Sequence, residues 1–153
     1  MKNRERRILI AVDLSENSLK AVDYVGRLLS CHEEAEITLM HVIRAPSPDT
    51  MPDEAERLRV VRKAETESLT LMENAGRRLT AYGIPENRIR IRIQTCDRLV
   101  SVAQLILEER QKGDFGTVVV GKRGVSKREE FLFGSTSSSV MREARDCAVW
   151  IIP

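Results

Sequence analysis

Short apolar runs alternate with amphipathic stretches along the whole chain, and this alternation limits the possible folds more than any other feature. Four apolar runs, at 7–12, 37–42, 115–120 and 148–152, have the length of strands and are rich in Val and Ile. Between them, apolar residues recur at the spacing of a helix. The pattern predicts four β-α units and a final strand, which is typical of a parallel sheet with helices on both faces.

The remaining strand, at 88–94, has a different pattern, because arginines alternate with isoleucines. One apolar face and one charged face indicate an edge strand, where arginines discourage pairing with another chain. Asp97 follows and is expected to cap a third helix that carries Leu99, Val102 and Ile106 and ends at Gly113.

A long helix is predicted from Asp53 to Tyr82, after a proline-rich loop. Its buried stripe is expected to consist of five residues, Leu58, Val61, Met72, Ala75 and Leu79. The middle of this segment is polar, so the pattern leaves open whether the helix is continuous, partly exposed or broken.

Length and composition point to one domain over residues 1–153 and exclude several classes of protein. The net charge of +2 and the single Trp, with two Tyr and three Phe, argue against a nucleic-acid partner. No apolar run reaches the length that spans a membrane. The three cysteines are widely spaced, so disulfides are not expected and a reducing cytoplasm fits best.

The candidate site follows the fourth strand, where Gly121 and Gly124 precede Gly134 with the spacing G-x2-G-x9-G. Glycine lets backbone approach a phosphate closely, and the N-terminus of a helix starting near Ser135 attracts anions. Thr136 adds a hydroxyl group beside those amides. From spacing alone, a simple turn followed by a serine cap explains the pattern equally well.

Two further residues point to the same crevice, because parallel strands place their carboxyl ends at one edge of the sheet. Asp13 follows the first strand and has the chemistry to accept a hydrogen bond from a ribose or an adenine. The pair His41-Val42 is expected to end the second strand, where backbone groups can meet an adenine edge. The alternatives are that Asp13 caps the first helix and that Val42 belongs to the core.

These segments, taken in order, resemble the universal stress protein family across nearly the whole chain. The resemblance is carried by ILIAVDLSENS, the HV after the second strand, VVVGKRG, FLFGSTSSSV and CAVWIIP. The complete G-x2-G-x9-G-[ST] pattern marks the ATP-binding branch of that family. The resemblance implies a five-stranded parallel sheet, doubly wound, in the order 3-2-1-4-5.

The resemblance also implies which residues hold the nucleotide. Asp13 and Val42 would contact the nucleoside, while the backbone of Ala11, Val12 and Val120 would line the crevice. Gly121, Arg123 and Gly124 would follow the ribose and phosphates. Gly134, Ser135 and Thr136 would hold the phosphate end.

The same resemblance implies ATP with Mg or Mn carried by the triphosphate, and a cytoplasmic homodimer formed through the edge strand Ala148–Ile152. Such a dimer would act in stress response or signalling. No general base stands out apart from Asp13, so at most slow ATP hydrolysis is expected. A protein-interaction module with an empty crevice remains the alternative. Cys96 stands where the family often has a glycine, and it is either a reactive thiol at the crevice or a buried, inert one.

Overall fold

The computed structural model describes residues 3–97, 99–122 and 134–153. Five strands and four helices alternate in the order that the sequence predicts. In chain order they are β1 (Arg7–Ala11), α1 (Glu16–Leu29), β2 (Glu36–Arg44), α2 (Glu54–Ala81), β3 (Ile89–Cys96), α3 (Val102–Gly113), β4 (Thr117–Gly121), α4 (Ser135–Glu143) and β5 (Ala148–Ile152).

All five strands lie parallel in one sheet, in the order β3-β2-β1-β4-β5. The predicted fold class and strand order are therefore confirmed, with the arginine strand β3 at one edge and β5 at the other. The winding reverses between β1 and β4, which pair side by side although three helices separate them in the chain. In open α/β sheets, ligands bind at the carboxyl ends of the strands at such a reversal.

The sheet separates two apolar cores. On one face, α1 and α2 cover Ile10, Leu39 and Val119. On the other face, α3 and α4 cover residues such as Leu9 and Met40. No residue of β1 or β4 is exposed, which explains the apolar runs ILIA and VVV at the centre of the sheet.

The long helix α2 is unbroken over 28 residues, and Asp53 caps it by accepting from the Ala55 amide at 3.0 Å. Its buried residues all lie in the second half, from Ser68 to Leu79. The prediction that Leu58 is buried is wrong, since 51% of its surface is exposed. The first half of α2 extends past the core, so its apolar residues lack a packing partner in the sheet.

The start of α3 also differs from the prediction. Ser101, not Asp97, caps the helix, and its hydroxyl accepts from the Gln104 amide at 3.1 Å. The Asp97 carboxylate instead accepts from the Leu99 amide at 2.8 Å and closes a turn before the helix. Leu99 is consequently 84% exposed rather than part of the buried stripe.

The strand β2 continues to Arg44 rather than ending at the predicted His41-Val42 pair. None of the helices in the described ranges is both long enough and apolar enough to cross a bilayer.

Candidate functional site

A cavity of about 380 Å³ opens at the carboxyl ends of the strands, at the point where the winding reverses. It reaches from the α2 side of the sheet to the α3 and α4 side. On the α2 side and along the ends of β1 and β2 it is lined by Ala11, Val12, Asp13, Leu14, Ser15, Ser18, Met40, His41, Val42, Ile43, Arg44, Ala64, Glu67 and Ser68. Val102, Ile106, Val120, Gly121, Gly134, Thr136 and Ser137 complete the other side.

The chain that leaves β1 is held by hydrogen bonds on three sides. The Val12 amide donates to the Met40 carbonyl at 2.7 Å, and the His41 ring is 2.7 Å from the Val12 carbonyl. The Asp13 amide then donates to the Ser18 hydroxyl at 3.1 Å. These contacts fix the backbone that carries the Asp13 side chain into the cavity.

The Asp13 carboxylate does not cap α1. Its Oδ1 accepts from the Ser15 amide at 2.7 Å, and Ser15 itself caps the helix through the Ser18 amide at 3.3 Å. The side chain of Asp13 is thus oriented by a two-residue turn at the cavity wall. Its second oxygen has no hydrogen-bond partner among the residues that the structure describes, which leaves an acceptor for a ligand.

Gly121 has a packing role in addition to its place at the cavity. A Cβ atom at this position would lie 2.8 to 2.9 Å from the backbone of Asn17 and Ser18. The Asn17 amide group also donates to the Lys122 carbonyl and ties the end of β4 to α1. The absence of a side chain at Gly121 therefore lets the start of α1 approach the end of β4.

The N-terminus of α4 faces the cavity, and no side chain among the described residues caps its backbone donors. Gly134 is the capping residue and has no side chain to offer the first-turn amides. The Ser137 hydroxyl donates to the Gly134 carbonyl at 3.0 Å, and among the described residues it accepts from none of the first-turn amides. A helix start of this kind provides both hydrogen-bond donors and a partial positive charge for an anion.

The cavity brings together most of the residues that the sequence predicts for the site: Ala11, Val12, Asp13, Val42, Val120, Gly121, Gly134 and Thr136. Ser135 is exposed at the first position of α4 and does not line the cavity. Arg123 and Gly124, which the prediction placed along the ribose and phosphates, lie outside the described residues.

Sequence reasoning missed the contribution of two helices. Ala64, Glu67 and Ser68 reach the cavity from the middle of α2, about fifty residues beyond β1. Val102 and Ile106 come from α3, one helical turn apart, and were predicted only as core residues. Helical spacing identifies an inward face but does not distinguish a core from a cavity wall.

Cys96 ends β3 and is only 5% exposed, which supports the inert alternative over the reactive one. Burial raises the pKa of the Cys96 thiol above its ordinary value, although the positive charge of Arg44 opposes this shift. Within the described parts of the chain, no three Cys, His, Asp or Glu side chains come together as a metal site would require.

The family match and two similar relatives of this chain all belong to one protein family. Residues 5–153 match the universal stress protein family. The chain is 34% identical over 140 residues to a universal stress protein of Mycolicibacterium smegmatis, with 92% of this chain and 46% of that protein covered. It therefore spans about half the length of that relative. Universal stress protein YxiE of Bacillus subtilis is 26% identical over 158 aligned residues, covering 95% of this chain and 97% of YxiE.

Solved structures share the fold at lower identity. UspA from Lactobacillus plantarum superposes with a TM-score of 0.79 at 18% identity, over 99% of this chain and all of that one. A universal stress protein in complex with cAMP superposes with a TM-score of 0.71 at 22% identity, over 99% of each chain. The universal stress protein from Archaeoglobus fulgidus in complex with dAMP superposes with a TM-score of 0.59 at 16% identity, over 96% of this chain and 97% of that one. The match over residues 5–153, on a sheet of this order, establishes that the chain belongs to the universal stress protein family.

Proposed function

We propose that this protein binds ATP in the cavity at the carboxyl ends of β1, β2 and β4, as a member of the ATP-binding branch of its family. The observation that carries the proposal is the convergence of three kinds of group on one cavity. These are the Asp13 carboxylate, the backbone at Val42 and the uncapped amides at the start of α4.

Each group suits a different part of the nucleotide. Backbone N–H and C=O at Val42 complement the hydrogen-bonding edge of adenine, and the apolar Val102 and Ile106 suit its ring faces. The second Asp13 oxygen suits a ribose hydroxyl. The amides at Gly134 and Thr136 suit the phosphates, and Mg or Mn would come with the triphosphate.

Two relatives of known structure support a nucleotide ligand. One universal stress protein was solved in complex with cAMP, and that of Archaeoglobus fulgidus in complex with dAMP. Both ligands contain adenine, a ribose or deoxyribose and a phosphate, which are the groups that the three parts of this cavity would hold.

Thermal unfolding with and without ATP and magnesium tests the proposal. Ligand at about 100 times its dissociation constant stabilises a fold by roughly 2.7 kcal/mol, so the unfolding temperature should rise by several degrees. Asp13→Asn keeps the oxygen that binds the Ser15 amide but removes the charge, and it should weaken ATP about tenfold or more. Thr80→Val, on the far end of α2, provides a control that leaves the cavity intact. No shift for the wild-type protein at millimolar ATP would contradict the proposal.

Hydrolysis and protein interaction are the alternatives that the same experiments separate. The cavity holds two carboxylates, Asp13 and Glu67, so slow ATP hydrolysis would appear as steady phosphate release that is lost in Asp13→Ala. A protein-interaction module would show neither phosphate release nor a thermal shift.

We further propose that the protein is a cytoplasmic homodimer paired through β5. This strand pairs with β4 on one side, and in the described structure no strand pairs with its outer side. Its sequence AVWII has no charge that would discourage pairing, so a two-fold partner is the simplest way to cover the edge. All three cysteines are unpaired, as a reducing compartment favours.

A further inference from the structure

His41 is a buried polar residue on the cavity wall whose position in the sheet is unusual. It is 9% exposed and lies next to Val42 in the middle of β2. One ring nitrogen, Nδ1, is 2.7 Å from the Val12 carbonyl. A carbonyl oxygen only accepts, so Nδ1 must carry the proton and donate this bond.

This side-chain bond replaces a bond of the β-sheet. The Val12 amide donates to the Met40 carbonyl, as it would in a continuing parallel ladder. In such a ladder the Val12 carbonyl would accept from the amide two residues further along β2, which is that of Val42. The pairing of β1 with β2 ends instead at Ala11 and Met40. The Val12 carbonyl accepts its hydrogen bond from the His41 side chain.

The consequence concerns the backbone at Val42. Val12 is 3% exposed, and a buried carbonyl needs a hydrogen-bond partner. Because His41 donates to the Val12 carbonyl, the N–H of Val42 still points toward β1 but forms no hydrogen bond to Val12. The residue lines the cavity, so this N–H is available to a ligand.

We propose that His41 is a positioning residue, which satisfies the Val12 carbonyl and thereby reserves the Val42 N–H for an acceptor atom on the ligand base. This inference rests on the proposed function for its ligand, an adenine nucleotide. Backbone N–H and C=O of one residue point to the same side of a parallel strand. Val42 would thus present one donor and one acceptor, which match N1 and the amino group of adenine. Guanine carries a donor and an acceptor in the opposite order.

The test compares two substitutions of His41 that differ in one donor. His41→Asn places an amide nitrogen near the position of Nδ1, whereas His41→Leu fills the space without a donor. In His41→Leu the Val12 carbonyl should accept a hydrogen bond from the Val42 N–H. The affinity for ATP should then fall about tenfold, the typical effect of one hydrogen bond. Weak binding of GTP through its phosphates should not fall with it, so the preference for ATP should shrink. His41→Asn should restore most of that preference.

Amide hydrogen exchange in the nucleotide-free protein gives a readout that needs no ligand. Exchange at Val42 should be at least tenfold slower in His41→Leu than in the wild type or in His41→Asn. If the wild-type protein fails to bind ATP, the proposed function is contradicted. The exchange rates at Val42 then still test whether His41 keeps the Val42 N–H free of a bond to Val12. Unchanged exchange at Val42 would overturn the inference. An ATP preference equal in wild type and His41→Leu would overturn it as well.

Discussion

Gly121 combines a packing role with a place in the candidate site, and the two roles respond differently to substitution. Gly121→Ala would bring a Cβ atom within 2.8 to 2.9 Å of backbone atoms at the start of α1. Backbone cannot yield as a flexible side chain can, so we expect a loss of about 1 to 3 kcal/mol in the free energy of unfolding. Urea unfolding without nucleotide measures this change.

The matched control is Gly76→Ala on α2, where the nearest atom to an added Cβ is 3.9 Å away. Alanine in a helix interior is more stable than glycine by about 0.5 to 1 kcal/mol, so this variant should gain stability. If both variants lose stability alike, the close approach of β4 to α1 is not what requires Gly121.

Cys96 is expected to react with thiol reagents more slowly than the exposed Cys31. Its raised pKa leaves a smaller thiolate fraction at pH 8 than an ordinary cysteine has, and burial limits access to reagents. Iodoacetamide labelling followed by mass spectrometry should therefore modify the exposed Cys31 well before Cys96. In urea the two sites should react at similar rates, and equal rates in the folded protein would contradict the buried assignment.

At the level of the elements, the helix starts show what sequence patterns capture. Asp53, where the long helix was predicted to begin, is the residue that caps α2. The prediction failed at Asp97 because an aspartate binds the amide two residues on as readily in a turn as at a helix start.

Ser101→Ala tests the corrected start of α3. Loss of a serine cap costs about 1 kcal/mol, and Ser101→Asp should recover most of it, because aspartate caps as well as serine. Asp97→Ala removes one exposed turn contact and should change the free energy of unfolding by less than about 0.5 kcal/mol. Urea unfolding of the three variants gives the comparison, and a larger loss for Asp97→Ala would favour the original prediction.

The long helix α2 marks the limit of sequence reasoning about the site. Its boundaries follow from local signals, and both ends lie within one residue of the prediction. Its contribution of Ala64, Glu67 and Ser68 to the cavity depends on how far the helix extends past the core. Helical spacing predicted that Met72 and Leu79 are buried, but it does not indicate which residues beyond them line a cavity.

At the scale of the whole molecule, the strand order follows from few constraints. Four β-α units with right-handed crossovers leave few topologies, and the charged strand β3 had to be an edge. The position of the cavity then follows from the reversal between β1 and β4. The sequence alone could not decide whether the uncharged strand β5 pairs with a second copy of the chain.

The directions of the β5 amides provide a test of that pairing. The Ala148 amide donates to the Gly116 carbonyl at 2.9 Å, and the Ile152 carbonyl accepts from Lys122 at 2.7 Å. Even-numbered residues thus face β4, and the amide of Val149 faces outward. Val149→Pro removes one outward donor without removing a bond to β4, whereas Val149→Thr keeps the amide.

We expect Val149→Pro to be monomeric at concentrations where the wild type and Val149→Thr are dimeric, as measured by analytical ultracentrifugation. The proline replaces a donor that an antiparallel partner would use, and by two-fold symmetry it does so twice in each interface. The variant should keep the thermal shift with ATP, because no residue of β5 is among those that line the cavity. A Val149→Pro protein that remains dimeric would show that another surface joins the subunits, and a monomeric wild type would remove the dimer from the proposal.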